Sequence, residues 1–214
     1  MYVKDRMSVD LVTISKDENI SKALDLMNKD DLHRLPVVDE AGKLIGLITA
    51  GTIETNTPSK ATSFSIHELN YLLLKTKVES IMIKEIITIG PNALLEEAAL
   101  LMRKNNVGCL PVVEKNMLLG IITQNDIFDA FIDLLGYYEI GTRVVIEIDV
   151  DKIGILYRVS EIFYKQNISI SHLAVYHQSD EVLVVIQVAE TDSKLVSKLL
   201  TDNNYKVISV LEHH

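Results

Sequence analysis

Only one cysteine, Cys109, occurs in the 214 residues, so no disulfide can form within the chain and packed apolar surface has to hold the fold. Basic residues are in deficit: 21 Lys and Arg stand against 30 Asp and Glu, a formal charge of -9 at pH 7. That balance argues against a broad nucleic-acid or anionic-membrane surface. No uninterrupted apolar run approaches the ~18 residues that span a bilayer, the longest being short stretches such as Val182 to Ile186. Met1 opens onto mixed polar sequence without the charged-then-apolar pattern of a signal peptide. The expectation is a cytoplasmic protein with no nucleic-acid and no membrane partner.

Catalytic patterns are also missing. No Gly-x-Ser-x-Gly, P-loop or dinucleotide fingerprint occurs. His67-Glu68 begins a zincin motif, but Tyr71 takes the second histidine position. Asp149 to Gly154 imitates a calcium loop until Ile153 and Ser160 fall where ligands are needed. His172 and His177 lack a third ligand, and Cys109 precedes a strand that reads as buried, where packing suits it better than nucleophilic chemistry. No metal site, cofactor or enzymatic activity is expected.

What is present is a core-forming composition, 48% hydrophobic and 24% charged, enough for one large or two modest domains. It is organised as a repeat. Val3 to Ile14 (VKDRMSVDLVTI) aligns with Val78 to Ile89 (VESIMIKEIITI), placing Met7 over Met82. Ile20, Ala23, Leu24 and Met27 form one helical face, and Leu95, Ala98, Ala99 and Met102 form its counterpart. Leu35-Pro36-Val37-Val38 matches Leu110-Pro111-Val112-Val113, and Leu44 to Thr49 matches Leu118 to Thr123. Each copy reads strand, helix, strand, strand, helix, and two copies suggest a pseudo-twofold pair.

The first copy spans residues 1–56. A linker at 57–77 carries a helix opened by the capping-box pattern Ser65-Ile66-His67-Glu68, with Leu69, Leu72 and Leu73 on its apolar face. The second copy spans 78–138, with the junction to the next domain between Gly136 and Gly141. Residues 142–210 alternate at Val144, Ile146 and Ile148, then turn helical with Leu156, Val159, Ile162 and Phe163 inward. Two strands follow, then a helix carrying Leu195, Val196, Leu199 and Leu200, and a last strand from Tyr205. That order makes an antiparallel sheet with both helices on one face. The other face is partly apolar, through Val182 and Val184 or their alternates Leu183 and Val185, and suits a partner subunit. Residues 211–214 read as the remnant of an expression tag.

The duplicated unit resembles the CBS domain, and residues 142–210 resemble the ACT domain. The fold class implied is α+β: two CBS repeats (β-α-β-β-α) forming a pseudo-twofold pair, followed by a ferredoxin-like βαββαβ ACT domain. The order CBS, CBS, ACT resembles the bacterial acetoin-utilisation proteins of the B type, which implies control of acetoin or butanediol breakdown. CBS pairs bind adenosine-containing ligands between the copies, commonly with a Gly-x-x-Thr/Ser-x-x-Asp element, present here from Gly120 through Thr123 to Asp126. The implied ligand is AMP, ADP, ATP or S-adenosylmethionine.

Adenosine recognition needs an acceptor for ribose hydroxyls, donors for phosphate and an apolar slot for the base. The resemblance gives Asp126 the ribose, with Thr123 beside it and Thr88 as a further polar contact. Ile87, Ile89, Ile121 and Pro111 are expected to wall the base. Thr-x-x-Asp is equally a capping box that ties down a helix end, so two readings stand. The first copy has Thr52 where the second has Asp126, which points to one nucleotide per pair. It carries His33 and Arg34 where the second copy has Gly108 and Cys109, and these basic residues are expected to reach a phosphate. A phosphate charge about 4 Å from Arg34 gains about 4 kcal/mol at an effective dielectric near 20, before desolvation.

In the third segment Asp151-Lys152-Ile153-Gly154-Ile155-Leu156 resembles the ACT loop that receives an amino acid at a dimer interface, through backbone N–H groups at the helix start. The resemblance thus implies a homodimer, a possible amino-acid ligand and an unidentified downstream protein. The alternative is a dimerisation or adaptor module with no small-molecule ligand.

Overall fold

The apolar spacing that defines the repeat builds the same elements twice. The computed structural model describes residues 1–57, 66–148, 153–178 and 181–213. Contacts divide the chain into two units, Met1–Ile127 and Phe128–His214.

In the first unit the leading copy contributes β1 (Ile14–Ser15), α1 (Ile20–Lys29), β2 (Arg34–Val38), β3 (Leu44–Thr49) and α2 (Ala50–Asn56). After α3 (Ile66–Lys75) and α4 (Val78–Ile81), the second copy contributes α5 (Leu95–Asn105), β4 (Cys109–Glu114), β5 (Met117–Thr123) and the start of α6 (Gln124–Leu134). Ile20, Ala23 and Met27 are buried on α1, and Leu95, Ala98 and Met102 on α5, so the helical periodicity reports the core directly. Asn19 caps α1, its side chain accepting from Lys22 N at 2.8 Å. β1 runs parallel to β2 and β2 antiparallel to β3. In the second copy the parallel neighbour shrinks to a single bridge, Ile89 to Val112. Both hairpins shift register at the same place, between Val37 and Val38 and between Val112 and Val113. The capping residue expected at Ser65 lies outside the described residues.

The leaders cross. Ser8 N donates to Ile121 O at 2.9 Å and Ile121 N returns to Ser8 O at 3.0 Å. Reciprocally, Leu47 N donates to Ile83 O at 3.0 Å and Ile83 N to Leu47 O at 2.8 Å. Each copy's first residues therefore lie on the other copy's second strand, and Val78, Ile81 and Met82 join the core built around Leu35, Val37 and Ile48. Glycine permits this close approach. A methyl on Gly46 would run into Met82 Sδ, and one on Gly120 would sit 2.7 Å from Met7 Sδ and 2.8 Å from Ser8 O.

The second unit contains β6 (Gly141–Ile148), α7 (Ile155–Lys165), β7 (Ile170–Gln178), β8 (Glu181–Val188), α8 (Ser193–Asp202) and β9 (Lys206–His213). The four strands pair antiparallel in the order β7-β8-β6-β9. Val144, Ile146, Ile148, Val184, Ile186 and Val188 pack against Val159, Ile162 and Phe163 of α7 and Val196 and Leu200 of α8. Register then settles which alternate faces the helices: Val184 does, so Leu183 and Val185 point the other way.

Several expectations change. Leu156, expected inward, is 42% exposed, while Val159, Ile162 and Phe163 of the same helix are buried. Contacts group residues 128–140 with the second sheet, and Leu134 and Leu135 line a small cavity with His172, Ala174 and Gln187. Leu211, Glu212 and His213, set outside the fold from sequence, continue β9 by pairing with Arg143, Thr142 and Gly141.

Gly120→Ala should destabilise the first unit by about 1–3 kcal/mol in denaturant unfolding, because its methyl meets a backbone carbonyl. Gly46→Ala should cost less, since the flexible Met82 side chain can yield, and Met82→Ala should recover more of that loss than Met7→Ala recovers for Gly120→Ala. Equal costs and equal rescue would contradict the crossing geometry.

Candidate functional site

Because each leader starts on the opposite copy and must return to its own, residues 9–13 and 84–88 pass over the hairpins and roof two clefts. The larger, of about 540 Å³, is lined by Asp10, Leu11 and Val12 from the first crossing segment and by Ile121, Thr123, Gln124 and Asn125 of the second copy. Asp30, Leu32, His33 and Arg34 close its other side. The smaller, of about 360 Å³, repeats the plan, with Glu85, Ile86 and Ile87 over Leu47, Thr49, Ala50 and Gly51.

Thr123 and Asp126 form a closed local network. Asp126 Oδ2 accepts from Thr123 N at 2.6 Å and from Thr123 Oγ1 at 2.7 Å, while Asp126 N donates to Thr123 Oγ1 at 3.3 Å. The capping box is thus present, yet it uses one carboxylate oxygen and the hydroxyl's only proton. Among the described residues Oδ1 of Asp126 takes no hydrogen bond, and Thr123 Oγ1 meets the cleft as an acceptor. Asp126 itself, half-buried on the first turn of α6, lines neither cleft and is joined to the larger one through its bonds to Thr123. In the first copy Thr52 N donates to Thr49 Oγ1 at 3.0 Å and the two hydroxyls lie 2.8 Å apart. That network caps α2 without any carboxylate.

Of the residues singled out from sequence, Ile121, Thr123, His33 and Arg34 share the larger cleft. Ile87 and Pro111 do not: they line the smaller cleft, opposite Thr49. Ile89 is buried against Val112, and Thr88, half-buried beside it, lines neither cleft. The apolar roof above Thr123 is instead Leu11 and Val12, supplied by the other copy. Sequence reasoning missed them because it assumed that each copy roofs its own cleft. The 75-residue shift that superposes Leu11 and Val12 on Ile86 and Ile87 was the available signal. Asp10, Asp30, Gln124 and Asn125 were also missed.

His33 and Arg34 line both clefts. The Arg34 guanidinium nitrogens lie 3.6 and 3.7 Å from where a Cβ on Gly108 would stand. Cys109 is buried and borders the smaller cleft. Among the described residues no cluster of three His, Cys, Asp or Glu can hold a metal.

In the second unit Gly154, Ile155 and Leu156 line a cavity of about 370 Å³ with Val175, His177, Val182 and Val184. Gly154 caps α7 with φ 87°, a left-handed value that favours glycine. Ile153 is fully exposed and outside the lining, and Asp151 lies outside the described residues. Among the described residues no helix is long and apolar enough to cross a membrane.

A CBS domain-containing protein of Dictyostelium discoideum is 40% identical over 136 residues, which is 63% of this chain and 94% of that protein. Three solved structures are similar to this chain over about three fifths of its length. A proposed acetoin utilization protein from Vibrio cholerae is 30% identical, with 64% of this chain and 93% of that one covered and a TM-score of 0.53. The CBS domain pair of protein MJ0100, in complex with 5-methylthioadenosine and S-adenosyl-L-methionine, is 30% identical, with coverages of 61% and 95% and a TM-score of 0.51. CBSX2 in complex with AMP is 25% identical, with coverages of 62% and 97% and a TM-score of 0.52. The CBS domain model itself matches residues 3–54 and 78–133, the two halves joined by the crossing leaders, and the chain belongs to the CBS-domain family as a tandem pair.

Proposed function

We propose that this chain is a non-catalytic, cytoplasmic regulatory protein whose CBS pair senses an adenosine-containing ligand in the larger cleft. The observation that carries the reading is the asymmetry between the two otherwise equivalent networks: Thr123 with Asp126 beside the larger cleft, Thr49 with Thr52 beside the smaller. A carboxylate oxygen left over from capping can accept a ribose hydroxyl, and a second hydroxyl cannot replace it while holding the helix end. Leu11, Val12 and Ile121 provide the apolar slot for a base, and Arg34 with His33 provides donors for the 5′ substituent. The complexes of related CBS pairs with AMP, 5-methylthioadenosine and S-adenosylmethionine support this ligand class. Likeness to the Vibrio cholerae protein supports placing the control on acetoin or butanediol breakdown.

The second unit reads as an ACT domain through its strand order β7-β8-β6-β9 and its helices on one face, and as an amino-acid site through the Gly154 cavity. Its role in this reading is homodimer formation and transmission to a downstream protein. A switch of this kind requires unequal ligand affinity for two states of the dimer.

The exposed Phe128, Phe131, Leu134 and Tyr138 favour a second reading, an adaptor that binds partners and no small molecule. Calorimetry with AMP, ADP, ATP and S-adenosylmethionine separates the two. Sensing predicts saturable heat with at least one of them, weakened roughly tenfold or more in Asp126→Ala. Thr52→Ala, which removes the hydroxyl contact with Thr49 but keeps the backbone N–H that the Thr49 cap accepts from, should leave that affinity unchanged. Absence of heat with every ligand would reject sensing and leave the adaptor.

For the second unit, a millimolar amino acid that docks at Gly154 should raise the melting temperature. Gly154→Val should remove that shift, and no shift with any amino acid would leave the unit a dimerisation module.

A further inference from the structure

We infer that the larger cleft selects adenosine ligands with a cationic or zwitterionic 5′ tail over nucleoside polyphosphates. This rests on the adenosine reading of that cleft and adds the chemistry of the tail. The groups around the cleft carry opposing charges. Asp10 and Asp30 line it and Asp126 is bonded to the lining Thr123, whereas Arg34 and His33 are the basic side chains in the wall among the described residues. The described lining contains no lysine.

The backbone offers a polyphosphate little compensation. A helix start normally presents free N–H groups to an anion. At α6, however, Gln124 N donates to Gly108 O at 3.2 Å and Asp126 N donates to Thr123 Oγ1 at 3.3 Å. Thr123 N is held by Asp126 Oδ2. Arg34 also borders the smaller cleft, where Glu85 is the one acidic residue among the described lining residues. A triphosphate in the larger cleft would thus meet one guanidinium and two lining carboxylates. An aminoacyl tail fits the same groups without conflict: its carboxylate pairs with Arg34, and its ammonium or sulfonium pairs with Asp10 or Asp30.

The test is calorimetry at low ionic strength with S-adenosylmethionine, S-adenosylhomocysteine, AMP and ATP, on the full chain and on an Asp10→Asn, Asp30→Asn double variant. Both positions are exposed, so the substitutions leave the core intact. The wild type should bind S-adenosylmethionine roughly tenfold or more tighter than ATP, a preference that shrinks as salt shortens the screening length. In the double variant S-adenosylmethionine should weaken and ATP tighten, each by roughly threefold or more. ATP binding as tightly as S-adenosylmethionine in the wild type, or a ratio unchanged in the double variant, overturns the inference while nucleotide sensing survives. Binding of none of the four overturns both.

Discussion

Two reciprocal pairs of backbone hydrogen bonds, Ser8 with Ile121 and Leu47 with Ile83, hold the duplicated region together. Each commits the leader of one copy to the second strand of the other, and glycines at 46 and 120 let the methionine side chains approach the strands. The first copy does not complete its core alone, since Val78, Ile81 and Met82 fill it. Once the leaders cross, the following residues have no choice but to return over the hairpins. The two clefts are therefore a consequence of the crossing, and each is walled by both copies.

On this symmetric scaffold the chemistry is asymmetric. Equivalent Thr-x-x-Asp and Thr-x-x-Thr networks end in a carboxylate in one copy and a hydroxyl in the other. The basic pair His33 and Arg34 has no counterpart, because the second copy places Gly108 and Cys109 there. Both clefts consequently draw on one guanidinium. At Asp126 the capping interaction uses only one of the two carboxylate oxygens. Capping occupies Oδ2 and orients the carboxylate, which leaves Oδ1 held in place by bonds it does not itself make.

The second unit follows simpler rules. Alternation along β6 and β8 assigns one face to α7 and α8, and Phe163 and Leu200 fill the layer between. The misjudged residue, Leu156, is an apolar side chain on a helix whose Val159, Ile162 and Phe163 are buried. Periodicity marks the angular position of a residue on its helix but not how far the opposing sheet extends.

The sequence by itself determined the duplication, the element order, the helical faces centred on Ala23 and Ala98, and the presence of a Thr123–Asp126 pair in only one copy. These are local or periodic properties, carried by residues a few positions apart. Only the tertiary structure decided that the leaders exchange partners, and with it that Leu11 and Val12 rather than Ile87 and Pro111 stand over Thr123. The physical reason lies in the repeat itself: Met7 and Met82 are equivalent, as are Gly46 and Gly120, so pairing within a copy and pairing across copies produce the same pattern of residues. Chain geometry and close packing distinguish the two arrangements, and neither is written in the order of side chains.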